Sequence, residues 1–251
     1  MAPFLSRIRE PGACLFGTWV KLDSLETLEM LAWAGHDFVV IDMEHSPHTL
    51  ESTYRSIVAA QGFGMSALVR LPDLHSHTAQ RVLDAGADGV LVPRVRDAAD
   101  ARHAIDMLSF GPRGSRGMGV TSRAGRWGAL PTADYLAHGD QHVARVLQFE
   151  DQAALDAVDN ILDVPGVNSA FVGYGDLSLS SGKPPGHADN AARIQRWLAV
   201  CRERQIPCGT AVADAAAAAR SREQGFAFVM VGNDAAMFGR AAVQSLQGLK
   251  G

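Results

Sequence analysis

The sequence predicts an α/β fold, a (β/α)₈ TIM barrel that forms a single domain over residues 1–251. Short apolar runs alternate with amphipathic stretches along the whole chain, which is typical of βα units around a parallel sheet. There are eight such runs, and eight units in 251 residues match the usual size of a closed barrel. A doubly wound open sheet is the alternative, but no Gly-x-Gly-x-x-Gly turn follows the first run.

The predicted elements follow from these patterns in chain order. The apolar runs that predict strands are 15–20, 38–42, 66–70, 89–93, 145–150, 169–173, 208–212 and 226–232. The clearest amphipathic stretches, which predict helices, are 24–34, 76–85, 98–108, 190–205 and 214–223. Glycine often separates a helix from the next strand, as at Gly35, Gly86 and Gly225, because it supplies the left-handed residue that ends a helix. The Gly- and Arg-rich segment 110–141 is predicted to be a long irregular loop.

Composition and charge narrow the class of partner. A formal net charge of -4 without a basic cluster gives no electrostatic case for nucleic acid or an anionic membrane surface. No apolar stretch approaches transmembrane length, and the N-terminus has no signal-peptide core. Cys14, Cys201 and Cys208 have no metal-ligand spacing, so free and mostly buried thiols are expected. We therefore expect a cytoplasmic protein that acts on small molecules.

Two of the predicted strands lead into a carboxylate. Glu150 ends the fifth strand, and Asp176 follows the sixth. Burying an unpaired carboxylate is costly, and acids at the ends of neighbouring parallel strands converge, so one divalent cation is the simplest partner for both. Hard oxygen ligands favour Mg²⁺ or Mn²⁺. The alternative is that each acid caps the helix that follows it.

Other polar side chains stand at the same ends of the strands. Arg70 ends the third strand, where a guanidinium suits a carboxylate or a developing enolate oxygen, and a salt bridge to Asp42 or Glu44 is the alternative. His45 follows these acids and is either a general base oriented by a carboxylate or a third metal ligand. The remaining polar residues at these strand ends are Trp19, Lys21, Arg94 and Gln148.

Lysine is scarce in this chain. Lys21, Lys183 and Lys250 are its only lysines, and Lys21 alone lies near a strand end. Aldolases that form a Schiff base need a desolvated lysine inside the barrel. This argues against imine catalysis and leaves metal-assisted enolisation. The segments after the seventh and eighth strands are acidic rather than glycine-rich, which argues weakly against a phosphorylated substrate.

Seven motifs occur in a fixed order along the chain. They are Gly17-Thr18-Trp19, Ile41-Asp42-Met43-Glu44-His45, Val69-Arg70, Leu91-Val92-Pro93, Gly114-Ser115-Arg116-Gly117-Met118-Gly119, Gln148-Phe149-Glu150, and Phe171-Val172-Gly173 with Asp176-Leu177-Ser178. In this order they resemble the class II, metal-dependent pyruvate aldolases of the HpcH/HpaI aldolase family. The resemblance covers essentially the whole chain.

The resemblance implies a metal site built from Glu150 and Asp176, with Gln148 supporting it. The cofactor implied is a divalent cation, Mg²⁺ or Mn²⁺ first, with Co²⁺ or Zn²⁺ as alternatives. Bound metal would chelate the 2-oxo and carboxylate oxygens of pyruvate or a close analogue.

The catalytic residues implied by the same resemblance are few. Arg70 would hold the keto oxygen and stabilise the enolate, and His45, with Asp42 beside it, would transfer a proton. Asp84 would approach the site from a neighbouring subunit. The residues expected to line the substrate are Trp19, Arg70, Gln148, Gly173, Tyr174 and Gly175.

The activity implied is reversible cleavage of 4-hydroxy-2-oxo acids to an aldehyde and pyruvate, or a close 2-oxo acid such as hydroxypyruvate. A related barrel lyase or decarboxylase that acts on a 2-oxo acid or an acyl-CoA thioester is the alternative, and a non-catalytic metabolite-binding barrel is a second. The assembly implied is a homohexamer, a trimer of dimers in which paired subunits exchange the last helix.

One segment departs from the family pattern. Between Gly173 and Asp176 the family usually has Pro-Ala, whereas this chain has Tyr174-Gly175. Backbone amides of this turn are expected to bind the carboxylate of the donor. The substitution leaves the choice of 2-oxo acid donor open, and the aldehyde and the native metal are not specified by the sequence.

Overall fold

The structure, a computed structural model, describes residues 2–184 and 186–249. Eight parallel strands pair in chain order and close into a barrel, with the last strand beside the first. The predicted (β/α)₈ barrel is confirmed. The strands are β1 Leu15–Val20, β2 Phe38–Asp42, β3 Ser66–Arg70, β4 Gly89–Val92, β5 Ala144–Phe149, β6 Ser169–Val172, β7 Cys208–Val212 and β8 Phe228–Asn233. Lys250 and the final residue of the predicted domain lie outside the described residues.

Twelve α-helices are found in the described part of the chain. They are α1 Phe4–Ile8, α2 Leu25–Trp33, α3 Leu50–Gly62, α4 Thr78–Asp84, α5 Ala98–Leu108, α6 Thr132–Gln141, α7 Gln152–Asp156, α8 Val158–Leu162, α9 Tyr174–Ser181, α10 Ala188–Glu203, α11 Ala215–Glu223 and α12 Asp234–Ser245. None of these helices is both long and apolar enough to cross a bilayer. Side-chain caps fix where several begin, for example Ser24 at α2 and Asp97 at α5.

The segment 110–141 was expected to be irregular throughout, and this expectation is partly wrong. Its last third forms helix α6, which starts after Pro131, and a short 3₁₀ turn covers Arg126–Gly128. Helix α6 buries only Tyr135 and Gly139, so its sequence carries little of the apolar periodicity that marks a core-facing helix.

Aromatic side chains fill the amino-terminal end of the barrel. Phe4 of α1 lies 5.1 Å from the ring of Phe38 and 5.5 Å from that of Phe228, so α1 plugs this end. A Cβ atom at Gly17 would lie 2.7 Å from the Phe38 ring, and one at Gly209 would lie 2.2 Å from the Phe228 ring. Glycine is required at both positions because the large rings need this space.

The opposite end of the barrel is polar because successive strand residues alternate between inside and outside. Val40 and Leu68 belong to the interior apolar layer, so Asp42 and Arg70, two residues later, also face inward. Asp42 and Arg70 are register partners on adjacent strands. The same alternation places Gln148 above Val146 on β5. Polar side chains at the carboxyl ends of the strands therefore meet at one end of the barrel, which we call the mouth.

Candidate active site

Arg70 and Asp42 form the buried centre of the mouth. Arg70 Nε donates to Asp42 Oδ1 at 2.9 Å and Nη2 donates to Oδ2 at 2.7 Å. The Arg70 side chain is 7% exposed and that of Asp42 is 0% exposed. The Arg70 guanidinium also stacks 4.3 Å above the Trp19 ring. The salt bridge considered as an alternative for Arg70 is therefore present, and it fixes the direction of the guanidinium.

Lys21 is a second cation on Asp42, and sequence reasoning gave it no role. Its Nζ lies 2.6 Å from Asp42 Oδ2 and 3.2 Å from the carbonyl oxygen of His45. Burial alone would raise the pKa of Asp42, but hydrogen bonds and charge from Arg70, together with Lys21, hold that pKa well below its usual range. Asp42 thus stays ionised. Its Oδ1 also accepts the backbone N–H groups of Glu44 and His45, which shapes the turn after β2.

Glu44 is a second buried acid of the mouth, and the sequence suggested it only as a partner of Arg70. Its side chain is 5% exposed. Arg70 Nη1 lies 3.1 Å from Glu44 Oε2, and Arg94 Nη2 lies 3.2 Å from Oε1. His45 Nε2 lies 3.7 Å from Glu44 Oε2. The carboxylate nearest the His45 ring is therefore Glu44, whereas Asp42 contacts the backbone of His45.

Glu150 follows β5 and faces the same space. Gln148 Nε2 donates to Glu150 Oε2 at 2.5 Å. Burial, followed by the charges of Glu44 and Asp176, raises the pKa of Glu150 to about 7. Gln148 Oε1 is buried and has no hydrogen-bond partner among the described residues. Glu150 is therefore close to two other carboxylates whose charges its surroundings do not fully offset, beside an unused acceptor.

Helix α9 points its amino terminus at this space. Its N-cap is Gly173, and no side chain of the described chain caps it. A Cβ atom at Gly173 would lie 3.6 Å from Gln148 Nε2 and 3.7 Å from Glu150 Cβ, so the helix begins next to both residues. The first N–H groups of such a helix are free to bind an anion. Tyr174 is half-buried against the core, and Gly175 is exposed.

The capping alternative for the two strand-end acids is wrong. Asp151, not Glu150, caps α7 by accepting from the N–H of Ala154. Asp176 is the third residue of α9, inside its first turn. Both carboxylates are therefore left for another partner.

The residues present fit a divalent cation. Oxygen donors of Glu150 and Asp176, supported by Gln148, are hard ligands of the kind that Mg²⁺ and Mn²⁺ prefer. Among the described residues there is no group of three or more His, Cys, Asp and Glu side chains placed to hold a metal. Two oxygen ligands from the protein would leave positions of such a cation open for water and substrate, and the role of His45 as a third ligand remains a prediction.

Asp84 is not brought to this mouth. It ends α4, next to the turn that leads to the start of β4, and so lies towards the opposite end of the barrel. There it accepts from Arg116 Nη2 at 3.0 Å and from the Tyr135 hydroxyl at 3.3 Å. Its role at the site of a neighbouring subunit remains a prediction.

Comparison with known proteins assigns the chain to a family. The sequence pattern of the HpcH/HpaI aldolase/citrate lyase family matches residues 15–241. The chain belongs to this family. It is an enzyme of the class II pyruvate aldolase type, as the resemblance in the sequence implied.

Three relatives of this HpcH/HpaI family enzyme cover almost the whole chain. It is 34% identical to the 2-dehydro-3,6-dideoxy-6-sulfogluconate aldolase of Pseudomonas putida, over 94% of this chain and 92% of the relative. It is 35% identical to the hydroxypyruvate/pyruvate aldolase of Roseovarius nubinhibens, over the same shares. A crystal structure of a family member from Burkholderia cenocepacia superposes with a TM-score of 0.90 at 32% identity, covering 100% of both chains.

Proposed function

We propose that this enzyme is a divalent-metal-dependent aldolase that reversibly cleaves 4-hydroxy-2-oxo acids to an aldehyde and pyruvate, or a close 2-oxo acid such as hydroxypyruvate. The observation that carries the proposal is the group of carboxylates at the mouth, namely buried Glu44, half-buried Glu150 and exposed Asp176, beside Arg70. The names of the aldolase relatives support the class of reaction. Mg²⁺ or Mn²⁺ is the proposed metal, held by Glu150 and Asp176.

The 2-oxo acid is bound by groups that are already in place. A divalent cation held there supplies a Lewis acid that polarises the 2-oxo group. The free N–H groups at the start of α9, around Tyr174 and Gly175, bind the carboxylate of the donor. Trp19 forms one wall, and its ring packs edge-on at 5.9 Å from Phe171.

Arg70 stabilises the charge that develops on the 2-oxo oxygen when the C3–C4 bond breaks. Each of its Nη atoms carries two hydrogens, and the contacts to Asp42 and Glu44 use one on each. The bidentate ion pair and the Trp19 ring hold the guanidinium in one orientation, so its remaining donors are fixed in place for the developing oxyanion. Donors fixed before the reaction stabilise a developing oxyanion without reorganising during it.

His45 removes the proton from the 4-hydroxyl in the cleavage direction and returns it in the addition direction. Its side chain is 54% exposed, as a group that exchanges protons with substrate and water requires. Asp42 and Lys21 hold the backbone of His45 through hydrogen bonds. The imidazole is therefore positioned by the turn after β2 and not by packing around the ring. A neutral imidazole is the form that accepts the proton.

The experiment that tests the function follows pyruvate release from a panel of 4-hydroxy-2-oxo acids with a coupled dehydrogenase. The expected result is release that disappears after chelation and returns with Mg²⁺ or Mn²⁺. Release of pyruvate from oxaloacetate alone, with no aldehyde formed from any substrate, would favour the related decarboxylase instead. No metal-dependent turnover of any 2-oxo acid would contradict the proposal.

Metal binding is expected to weaken as the pH falls through the pKa of Glu150, which is about 7 without metal. A carboxylate must lose its proton before it can bind a metal, so below this pH the metal competes with the proton. The apparent Mn²⁺ affinity should therefore fall by up to about tenfold per pH unit on the acid side and level off above it. Isothermal titration between about pH 5.5 and 8.5 measures this, and a flat profile would contradict the placement of Glu150 as a ligand.

We also propose the homohexamer, a trimer of dimers with an exchanged last helix, and a cytoplasmic location. Helix α12 leaves Phe238 and Val243 largely exposed, and Leu249 beyond it is equally uncovered. An apolar surface of this kind is usually buried by a partner. The three free cysteines are consistent with a reducing compartment.

The expected mass in solution is about 160 kDa, six times the 26.7 kDa chain. Light scattering after size exclusion measures it. Phe238→Asp is expected to lower the mass by placing a charge in the buried contact, whereas Glu203→Ala on the exposed surface of α10 should not change it. A monomeric wild-type protein would contradict the assembly.

A further inference from the structure

A pair of histidine rings lies outside the mouth and has no part in the proposed reaction. His75 belongs to the loop between β3 and α4, and His103 lies on α5. His75 Nδ1 lies 3.0 Å from His103 Nε2, and both residues are exposed. One of these two nitrogens carries a hydrogen and the other accepts it. At least one ring of the pair is therefore neutral, which is the form of imidazole that binds metal ions.

The angle between the two rings suits a ligand that both share. Their centroids are 4.7 Å apart and their planes are inclined at 53°. If the rings met head-on, the centroids would be farther apart than the nitrogens by two ring radii, and 4.7 Å is less than this sum. The rings therefore meet at an angle, as two imidazoles bound to one ion do. With metal–nitrogen bonds of about 2.0–2.1 Å, nitrogens 3.0 Å apart subtend an angle of about 90° at the ion.

The backbone on each side of the pair is already fixed. The His75 N–H donates to Asp73 Oδ1 at 2.7 Å, and the adjacent Leu74 is buried. His103 stands on the exposed side of α5, whose other side buries Ile105 in the core. Only the two rings have to turn in order to direct both lone pairs at one ion. Binding therefore requires little ordering of the chain.

We propose that His75 and His103 form a second metal site, which binds a divalent transition metal through two imidazole nitrogens at about a right angle, with Ni²⁺ as the ion that fits best. Ni²⁺ accepts nitrogen ligands at this angle, whereas tetrahedral Zn²⁺ would require the two nitrogens to move apart. Water fills the remaining positions, since no third His, Cys, Asp or Glu among the described residues is placed to join the pair.

This site differs from the mouth in the chemistry of its donors, and the inference does not depend on the proposed function. The mouth offers carboxylate oxygens, which suit Mg²⁺ and Mn²⁺, and the histidine pair offers nitrogens, which suit later transition metals. An ion on the pair joins the loop that follows Arg70 to helix α5. Saturating Ni²⁺ should therefore raise the melting temperature of the folded protein by about 5 °C, even when the mouth has lost an acid.

The test is a calorimetric titration of Ni²⁺ into protein without an affinity tag at about pH 7.5, where free imidazole is mostly unprotonated. Glu150→Ala, which removes an acid of the mouth, serves as the background. This variant is expected to bind one Ni²⁺ per chain. Adding His103→Gln should weaken that binding at least tenfold, because a direct ligand is lost and even the loss of a supporting group costs about 10- to 100-fold. The rise in melting temperature with Ni²⁺ should disappear as well.

Three further variants locate the site. His75→Gln should have the same effect as His103→Gln. His77→Gln changes another exposed histidine of the same loop and should leave Ni²⁺ binding unchanged. His138→Gln removes one ring of a second histidine pair, with His142 on α6, whose centroids are 5.4 Å apart, and should also leave it unchanged. Mn²⁺ binding by the His103→Gln single variant should equal that of the wild type, which shows that the barrel and its mouth are intact.

The outcomes separate this inference from the function proposed for the mouth. Equal Ni²⁺ affinity with and without His103→Gln, or a larger loss in His138→Gln, would overturn the second site and leave the aldolase in place. The same holds if Glu150→Ala binds no Ni²⁺ while the wild type binds Mn²⁺. Ni²⁺ binding that depends on His103, in a wild-type protein that binds no Mn²⁺, would support the second site and contradict the metal proposed at the mouth.

Discussion

Replacing Glu150 with alanine is expected to abolish Mn²⁺ binding at the mouth and to lower kcat for pyruvate release by about 1,000-fold, since a Lewis acid contributes several kcal/mol to such a step. Glu150 is half-buried beside Gln148, and the charges of Glu44 and Asp176 add to the effect of its burial. Asp176 alone leaves one protein carboxylate for the metal. Titration of Mn²⁺ and the coupled pyruvate assay measure the two effects separately.

The same substitution is expected to stabilise the metal-free protein. This result would distinguish a metal-binding acid from an acid that stabilises the fold. The pKa of Glu150 is raised to about 7 in the folded protein, so its favourable contribution is complete below the pKa of the unfolded chain, about 4.3, and is lost as the pH rises through 7. At about pH 8 the free energy of unfolding of the metal-free Glu150→Ala variant should therefore be about 1–2 kcal/mol higher than that of the wild type, allowing for solvent screening.

Added Mn²⁺ should reverse this order by stabilising only the wild type. Glu203→Ala, an exposed acid on α10, is the matched control and should change neither metal binding nor the pH dependence of stability. If Glu150→Ala were instead less stable than the wild type without metal, the acid would be part of the framework, and the metal site would have to be assigned elsewhere.

The barrel itself could be predicted from the sequence because its strands are apolar runs bounded by glycine turns. Four of the eight predicted strand ranges, 15–20, 38–42, 66–70 and 208–212, agree with the structure at both ends, and the other four differ from β4, β5, β6 and β8 by no more than two residues at either end. Parallel strands buried on both faces give this continuous apolar signal. Helix α6 was missed because it contacts the core through only two residues.

The site could be predicted only in part, because a strand end shows which side chains gather and not how they pair. Sequence reasoning brought Arg70, Asp42 and Glu150 to one mouth, and the structure does so. The sequence did not indicate that Asp42 would hold Lys21, and it suggested no role for Arg94. The charge on Asp42 and the left-handed turn at Arg94 are properties of the folded backbone, and no local residue pattern specifies them.

Replacing Arg70 with methionine is expected to damage both stability and catalysis. Asp42 would keep Lys21 but lose its bidentate partner while remaining buried, and breaking such a buried pair costs about 3–5 kcal/mol. The melting temperature should fall by about 10 °C for a chain of this size. Loss of the oxyanion donors should lower kcat by about 100- to 1,000-fold in the protein that remains folded.

The pH dependence identifies the origin of the loss in stability. In the wild type, Arg70 and Lys21 overcome the effect of burial and keep the pKa of Asp42 below its unfolded value, so this ion pair stabilises the fold above about pH 4 and the contribution disappears as the pH falls further. In Arg70→Met, Asp42 keeps only Lys21 as a cationic partner and takes up a proton more readily. The stability deficit of the variant should therefore be largest at neutral pH and shrink towards about pH 4.

Lys21→Met is the matched control because it removes the other cation from Asp42 and leaves Arg70 in place. It should cost only about 1 kcal/mol, since Lys21 is partly exposed and Arg70 still compensates the carboxylate. Arg70→Lys keeps the charge but not the fork, so it should recover most of the stability and little of kcat. Equal kinetic losses in Lys21→Met and Arg70→Met would show that Arg70 acts only by holding Asp42, whereas a much larger loss in Arg70→Met places its remaining donors on the reacting oxygen.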